Sequence, residues 1–334
     1  MPRIDYDEIK AKYEALVKTF KSGEVSLVDD LCAEDVKSWF SVRPSHFMPL
    51  DKSAIKDFIS NFPRTDELHL PIYNYACRLN LVEAQNYGQV VAIATNEKGG
   101  ADELDYFHFV IMLCCHWAKI DGNWKIDELK LDVHPMTGNL QDYFAQTWHI
   151  SYPLADLEQD DNIPCIQGEF DSPWIRIPNA EDVLSEAEKI KECVAKRFFG
   201  MDHFVVDHTV DAYSKSLNVN SKRYAKGQGV RALIGGLRFK RQKDRYWCHP
   251  WRFETLEIDG DHAYALTYRV AGYIQRNHEY VWTKANQNVE HMCQICWMDF
   301  IKENGVWRIV YNDITLGLYE IDEYDDEHLY RDRV

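Results

Sequence analysis

Between Tyr6 and Phe20 apolar side chains return every three or four residues, at Ile9, Tyr13, Leu16 and Val17, which is the spacing of one buried helix face. The break Lys21–Ser22–Gly23 ends that helix. "SLVDDLCAEDV" (26–36) reads as a second helical piece, and "DKSAIKDFISNF" (51–62) as a third, opened by an Asp cap and closed before Pro63. Long β-rich runs follow, among them "FHFVIMLCCHWAKI" (107–120). The order then returns: "AEDVLSEAEKIKECVAKRFF" (180–199), a break at Gly200, "HFVVDHTVDAYSKSL" (203–217), "KGQGVRALIGGL" (226–237), and long strands again. Helices before strands, twice over, predict an α+β chain whose halves each wrap one curved antiparallel sheet around a long helix.

The halves also share letters. "IDGNWKID" (120–127) and "ENGVWRIV" (303–310) align without gaps, pairing Gly122 with Gly305, Trp124 with Trp307 and Ile126 with Ile309. Further back, Lys119 meets Lys302, Trp117 meets Phe300 and His108 meets His291. Asn/Asp–Gly between apolar strands signals a hairpin, because both turn positions favour positive φ. A duplication follows, with a first domain at 1–140 and a second at 180–322. Residues 141–179 are richer in Pro and acids yet keep Trp148 and Trp174, so they read as a packed connector; 323–334 reads as an acidic tail.

Composition narrows the classes. At 334 residues the chain accommodates two domains of ordinary size, and its 46% hydrophobic and 28% charged residues are those of a globular protein. A net charge of −16 disfavours a phosphate backbone as partner, so nucleic acid is set aside. No apolar run approaches the ~18 residues of a membrane-spanning helix. "MPRIDYDEIKAKYEALV" carries charges where a signal peptide needs an apolar core, and nine cysteines lie without framework spacing; the expected setting is a reducing cytoplasm. The aromatic share of 13% supplies flat side chains that can line cavities as well as fill cores.

His249 opens "HPWRFETLEIDGDHAYALTY" (249–268), with Leu256 seven residues on and an Asp259–Gly260–Asp261–x–Ala263 turn after it. This strand pair, with the two Gly–x–Trp–x–Ile hairpins, resembles the SnoaL-like branch of the nuclear transport factor 2-like superfamily, which includes scytalone dehydratase-like and ketosteroid isomerase-like enzymes. The resemblance implies two tandem cone-shaped α+β barrels, each with a cavity between its sheet and its long helix. It also implies strand histidines, a helix-borne Asp and one or two Tyr acting on an oily substrate without a cofactor. Carried onto this chain, the first strand histidine is His249 and the second His291. The helix-borne acid falls nearest to Asp202, with Asp207 and Tyr213 as further candidates. In the first half, His69 precedes "LPIYNYACRLNLVEAQNYGQVV", and "NYGQVV", around Gly88, stands for the DGD turn. One copy is then the working site and the other mainly structural, the second being the better match.

A His pair in an apolar pocket suits proton shuttling, since imidazole titrates near neutral pH. His108 and His116 read instead as core histidines. Cys293 and Cys296 would face opposite sides of a strand, so they cannot chelate one ion there, and Cys114–Cys115–His116 fails on the same geometry. Gly227-x-Gly229 and Gly235–Gly236 lack the rest of a nucleotide-loop fingerprint. The expected function is a dehydratase or isomerase acting on a small hydrophobic ring compound such as a steroid, bile acid or polyketide. A non-catalytic tandem module that binds a ligand or a protein is the alternative. Association with a second copy is left open, and the two halves are expected to pack sheet against sheet.

Overall fold

The computed structural model describes residues 2–42, 48–97, 104–137, 148, 164–221, 248–270 and 291–320. The first unit runs α1 (Pro2–Ser22), α2 (Leu27–Leu31), β1 (Cys32–Phe40), α3 (Lys52–Ser60), β2 (Glu67–His69), β3 (Ile72–Leu79), β4 (Glu83–Glu97), β5 (Leu104–Ile120) and β6 (Asn123–Thr137). Two short turns of helix, α4 (Gly168–Asp171) and α5 (Pro173–Arg176), lead to the second unit. That unit runs α6 (Glu186–Asp202), α7 (Val206–Asp211), β7 (Tyr213–Ser221), β8 (Trp251–Asp259), β9 (His262–Val270), β10 (His291–Glu303) and β11 (Val306–Glu320). The two sheets are separate, ordered β1-β6-β5-β4-β2 with β3 also on β4, and β7-β11-β10-β9-β8. The apolar stripe of α1 (Ile9, Tyr13, Leu16, Phe20) is buried with Phe109, Ile111, Leu113 and Leu131 from the sheet. Ile190, Val194 and Phe198 of α6 are buried likewise with Met298, Phe300 and Ile309.

The sheets are antiparallel except at one place in each, where β1 runs parallel to β6 and β7 parallel to β11. Those two strands replace expected helices. In 26–36 only Leu27–Leu31 is helical; from Cys32 onward burial falls at Val36, Ser38 and Phe40, a period of two. In 203–217, only Val206–Asp211 is helical before β7 begins. Pairing along the neighbouring strand outweighs the weak helical preference of these short stretches. The third helix of the first half forms as expected, Asp51 accepting from the Ser53 N–H at 2.9 Å; its expected counterpart at 226–237 lies outside the described residues.

The duplication extends to details of register. Asp121 and Gly122 have φ of 50° and 81°, and Asn304 and Gly305 have 51° and 80°. Each hairpin breaks register at the same aligned step, His116/Trp117 in one and Asp299/Phe300 in the other. Strand β3 is joined to β4 by a turn at Asn80, whose side chain accepts from the N–H groups of Val82 and Glu83, so "NYGQVV" is not the turn expected there. Gly88 lies inside β4 because α1 approaches closely; a Cβ there would stand 2.5 Å from the Tyr13 hydroxyl.

The repeated Lys and Trp have one structural purpose. Trp124 Nε1 and Lys119 Nζ both donate to Asp5 in the first turns of α1, at 2.9 and 2.8 Å. Trp307 Nε1 and Lys302 Nζ donate in the same way to Glu186, the first residue of α6, each at 2.7 Å. Burial alone would raise the Asp5 carboxyl, but Lys119 and Trp124 hold it below its ordinary value. Lys302, Trp307 and Lys189 hold Glu186 down to about 2.

The units meet on the outer face of the first sheet. Tyr87, Val91, Ile93, Val110, Met112 and Cys114 are buried there with Ile166, Phe199, Val205 and Cys248. The apolar interface is present; among the described residues its second side is the end of α6 and the approach to β8, and the two sheets meet where the Trp251 N–H of β8 donates to Asn74 Oδ1 of β3. The connector is tied to the same surface: Asp132 accepts from the N–H groups of Cys165 and Ile166, and Lys130 pairs with Asp171 at 2.8 Å.

Asp5→Ala leaves the buried Trp124 N–H without its acceptor, and should cost about 1–3 kcal/mol in urea denaturation. Glu186→Ala should cost less, because the Glu186 side chain is 40% exposed against 10% for Asp5. Equal losses, or none for Asp5→Ala, would mean that the clamp does not hold the helix.

Candidate functional site

Helix α6 ends at Asp202, one turn beyond Phe198, and the chain returns beside it at His249, just before β8. The Asp202 side chain is wholly buried and that of His249 is 10% exposed. Asp202 Oδ1 lies in short contact with His249 Nδ1, while Oδ2 accepts from the His249 backbone N–H at 3.0 Å. The His249 ring stacks on Phe198 at 5.4 Å, and Phe198 stacks in turn on Trp251 at 5.0 Å. An imidazole–carboxylate pair therefore stands against an aromatic column inside the second unit.

The first unit completes this arrangement. Gln89 of β4 donates through Nε2 to Asp202 Oδ2 at 2.7 Å and to the Tyr87 hydroxyl at 3.0 Å. Its Oε1 accepts from Asn74 Nδ2 at 3.0 Å, and Asn74 Nδ2 also donates to the His249 carbonyl. Tyr87 reaches His203 Nε2 at 3.0 Å. Asn74 stands where β3 breaks register with β4, in the left-handed region at φ 51°. A bulge of this kind re-aims a side chain, and Asn tolerates that backbone better than most residues. Here it turns the amide out of the first sheet and onto the second unit.

Burial governs the electrostatics. It pushes the Asp202 carboxyl up to about 7, against the opposing influence of His203, the Gln89 amide, Arg269 and the His249 N–H. It pushes His203 down to about 4 despite the neighbouring Asp202. His134, on β6, is pushed down to about 3 by burial, with Arg269 and His249 adding to the effect. At neutral pH, His203 and His134 are thus uncharged, and the Asp202 carboxyl is partly protonated.

Of the residues expected from sequence, His249 and Asp202 come together. Asp207 is exposed on α7. Tyr213 begins β7 and is buried in the second core, its ring 5.2 Å from the Arg197 guanidinium carbon. His291 opens β10, paired with Glu320; its side chain lies outside the described residues. His108 and His116 are buried, and His116 Nδ1 meets Asp127 at 2.6 Å. The eight cysteines whose side chains are described are all buried and unbonded to one another, and no metal-binding cluster occurs among the described residues. Sequence reading missed Gln89, Asn74 and Tyr87. Polar residues on the outer face of a strand look like solvent-facing ones until a second unit covers them.

The two copies differ at this site. Val91 N–H bonds the Pro71 carbonyl at 3.0 Å, as Val270 N–H bonds the Pro250 carbonyl at 2.9 Å. The counterpart of His249 is accordingly Leu70, and His69 falls one position early. Counting along the helices from Asp5 and Glu186, the counterpart of Asp202 is Lys21. The first unit lacks the pair.

No family model matches the chain, and no curated protein matches it. Solved structures that resemble part of it include a scytalone dehydratase-like protein from Novosphingobium aromaticivorans, 15% identical, covering 46% of this chain and 96% of that one, with a TM-score of 0.34. An NTF2-like protein with a cystatin-like fold from the same organism is 15% identical over 39% of this chain and 81% of its own, with a TM-score of 0.31. The association domain of C. elegans CaMKII is 11% identical over 39% and 96%, with a TM-score of 0.33.

Gln89→Leu removes one of the two N–H donors to Asp202 Oδ2 and should lower the Tm; paired with Asp202→Asn, the double variant should lose less than the two single losses added. Strict additivity would mean that the amide and the carboxylate do not act together. The pH dependence of His203 has a definite sign. Its folded pKa, about 4, lies below the ordinary value of 6.5, so its contribution is complete above pH 6.5 and is lost as pH falls toward 4. His203→Gln should therefore flatten the acid limb of a Tm–pH profile, by several degrees near pH 4.5 as an order of magnitude. An unchanged acid limb would show that His203 is not the group being protonated.

Proposed function

We propose that the second unit is an acid–base enzyme, a dehydratase or isomerase acting on a small hydrophobic ring compound. One observation carries this reading: His249 and Asp202 meet in a buried, aromatic-walled place where an imidazole can be both oriented and proton-loaded. With Nδ1 directed to Asp202, the carboxylate fixes the tautomer, and Nε2 is the nitrogen through which the ring exchanges protons with a bound molecule. In a dehydration, Nε2 takes a proton from the carbon next to a carbonyl. The same imidazolium then returns a proton to the departing hydroxyl, so that water leaves and a carbon–carbon double bond remains. In an isomerisation, the proton is returned to a different carbon of the enolate. A tyrosine hydroxyl would stabilise the oxyanion in either case, and Tyr213 is the proposed donor. His291 is proposed as a second base.

The alternative is a tandem binding module in which the same pair is only a lock between the units. It is favoured by the wholly buried Asp202 side chain and by the Gln89 and Asn74 contacts that cross the interface. The two readings part on a single substitution. A thermal-shift screen of steroids, bile acids and aromatic polyketides would supply a substrate. His249→Ala should then slow turnover by about a hundredfold or more, the usual range for a positioned proton-transfer group, with Tm within a few degrees of the parent. His291→Ala should behave alike, and the double variant should cost less than the summed singles. Full turnover in His249→Ala, or a collapse of Tm at unchanged specific activity, would favour the lock.

A further inference from the structure

The interior of the second unit contains a charge that no carboxylate among the described residues answers. Arg197, on the face of α6 shared with Cys193 and Val194, is 3% exposed. Its guanidinium lies 4.5 Å from the Phe198 ring centre and 5.2 Å from that of Tyr213. Among the described residues neither Nε nor Nη1 has a hydrogen-bond partner, and no carboxylate pairs with the group. Ring faces offset part of the cost of burying a cation, but they do not satisfy N–H donors. Trp251 Nε1 and Asn312 Nδ2 are buried without acceptors as well. Trp251 belongs to the same core cluster as Phe198 and Tyr213, and Asn312 Oδ1 is in short contact with Cys296 of that cluster. All of these unmet groups are donors.

The first unit shows what these positions look like when only packing is required. Counting from the helix clamps, Arg197 corresponds to Leu16. By the shared proline bond, Trp251 corresponds to Ile72; by the ungapped hairpin, Cys296 and Asn312 correspond to Leu113 and Leu129. Leu16, Leu113 and Leu129 are fully buried members of the first core. At these positions the first unit therefore closes with aliphatic side chains, and the second unit departs from that solution with a cation and N–H donors. Replacing buried charged groups by apolar ones of similar volume is commonly neutral or stabilising, so packing alone does not account for Arg197.

We propose that Arg197 is an anion anchor: the second unit binds a flat, apolar ring compound that carries a carboxylate, the carboxylate lying against the Arg197 fork and the ring among Phe198, Tyr213 and Trp251. The planar guanidinium matches a carboxylate with two parallel N–H···O bonds. This narrows the substrate class of the reading above and rests on that reading only for what happens after binding.

The experiment compares acids with their neutral amides on the full chain. Benzoate, 1-naphthoate and cholate, each beside the corresponding carboxamide, are titrated by calorimetry and thermal shift. At least one acid should bind about tenfold or more tightly than its amide. In Arg197→Met that preference should vanish; in Arg197→Lys, which keeps the charge but not the fork, it should be partly retained. Arg197→Met should be at least as thermostable as the parent in the absence of ligand. His249→Ala should keep the acid preference, which separates a failure of the proton chemistry from a failure of the anchor. Equal binding of every acid and amide, a preference that survives in Arg197→Met, or displacement of the acid by inorganic phosphate alone at equal concentration would overturn the proposal.

Discussion

Each half of this chain depends on a carboxylate held at the start of its long helix by an indole N–H and an ammonium from the final hairpin. The contact joins the first element of the unit to its last strands, so it closes the unit as well as orienting the helix. A helix is a stiff rod with a rise of about 1.5 Å per residue, and a fixed start determines where every later side chain lies. From Glu186 the rod carries Arg197 and Phe198 into the interior and delivers Asp202 at its end, against the return of the chain at His249. The same clamp in the first unit delivers Leu16, Val17 and Lys21. One mechanical device thus presents two different sets of chemical groups.

That difference is what a duplication makes available. In the first unit leucines stand at the interior positions that correspond to Arg197, Cys296 and Asn312, and the polar residues of β3 and β4 (Asn74, Tyr87, Gln89) lie on the outside of the sheet. In the second unit polar groups occupy the interior and the end of the helix. The outer face of one and the helix end of the other are complementary: Gln89 and the His249 N–H share Asp202 Oδ2, and Asn74 holds the carbonyl of His249. A buried carboxylate is costly unless its lone pairs are met, and a network satisfied at every member is what makes it tolerable. One of the three contacts to Asp202 comes from the other unit, so the pair and the interface stabilise each other.

Much of this was legible in the chain. The ungapped match from His108/His291 to Ile126/Ile309 predicted two hairpins, and the structure carries the match into turn geometry, a shared register break and a shared clamp. Helix α1 and helix α3 with its Asp51 cap followed from spacing, and the resemblance put His249 and Asp202 forward among the candidate site residues. What failed did so for identifiable reasons. Residues 32–36 and 213–217 look helical in isolation, and only the parallel neighbour strand, brought in from far along the chain, makes them strands. "NYGQVV" looks like a turn because it contains a glycine; that glycine instead makes room for the Tyr13 hydroxyl. Asp207 was attractive by position, but α7 turns it toward solvent.

Arg197 was not legible at all, and the reason is instructive. In "CVAKRFFG" an arginine beside a lysine near the end of an amphipathic helix reads as a solvated flank, since the one-dimensional pattern does not say which of two adjacent bases points inward. Lys196 does take the solvent role, pairing with Asp211 at 3.1 Å on the exposed side. Rotation by one residue, about 100° around the helix axis, then sends Arg197 to the opposite outcome. Its meaning emerges only beside the other copy, where the equivalent position is an ordinary leucine. An internal repeat therefore serves as a control: the aliphatic copy reports what the fold requires, and the polar departures in its partner report what the fold does not.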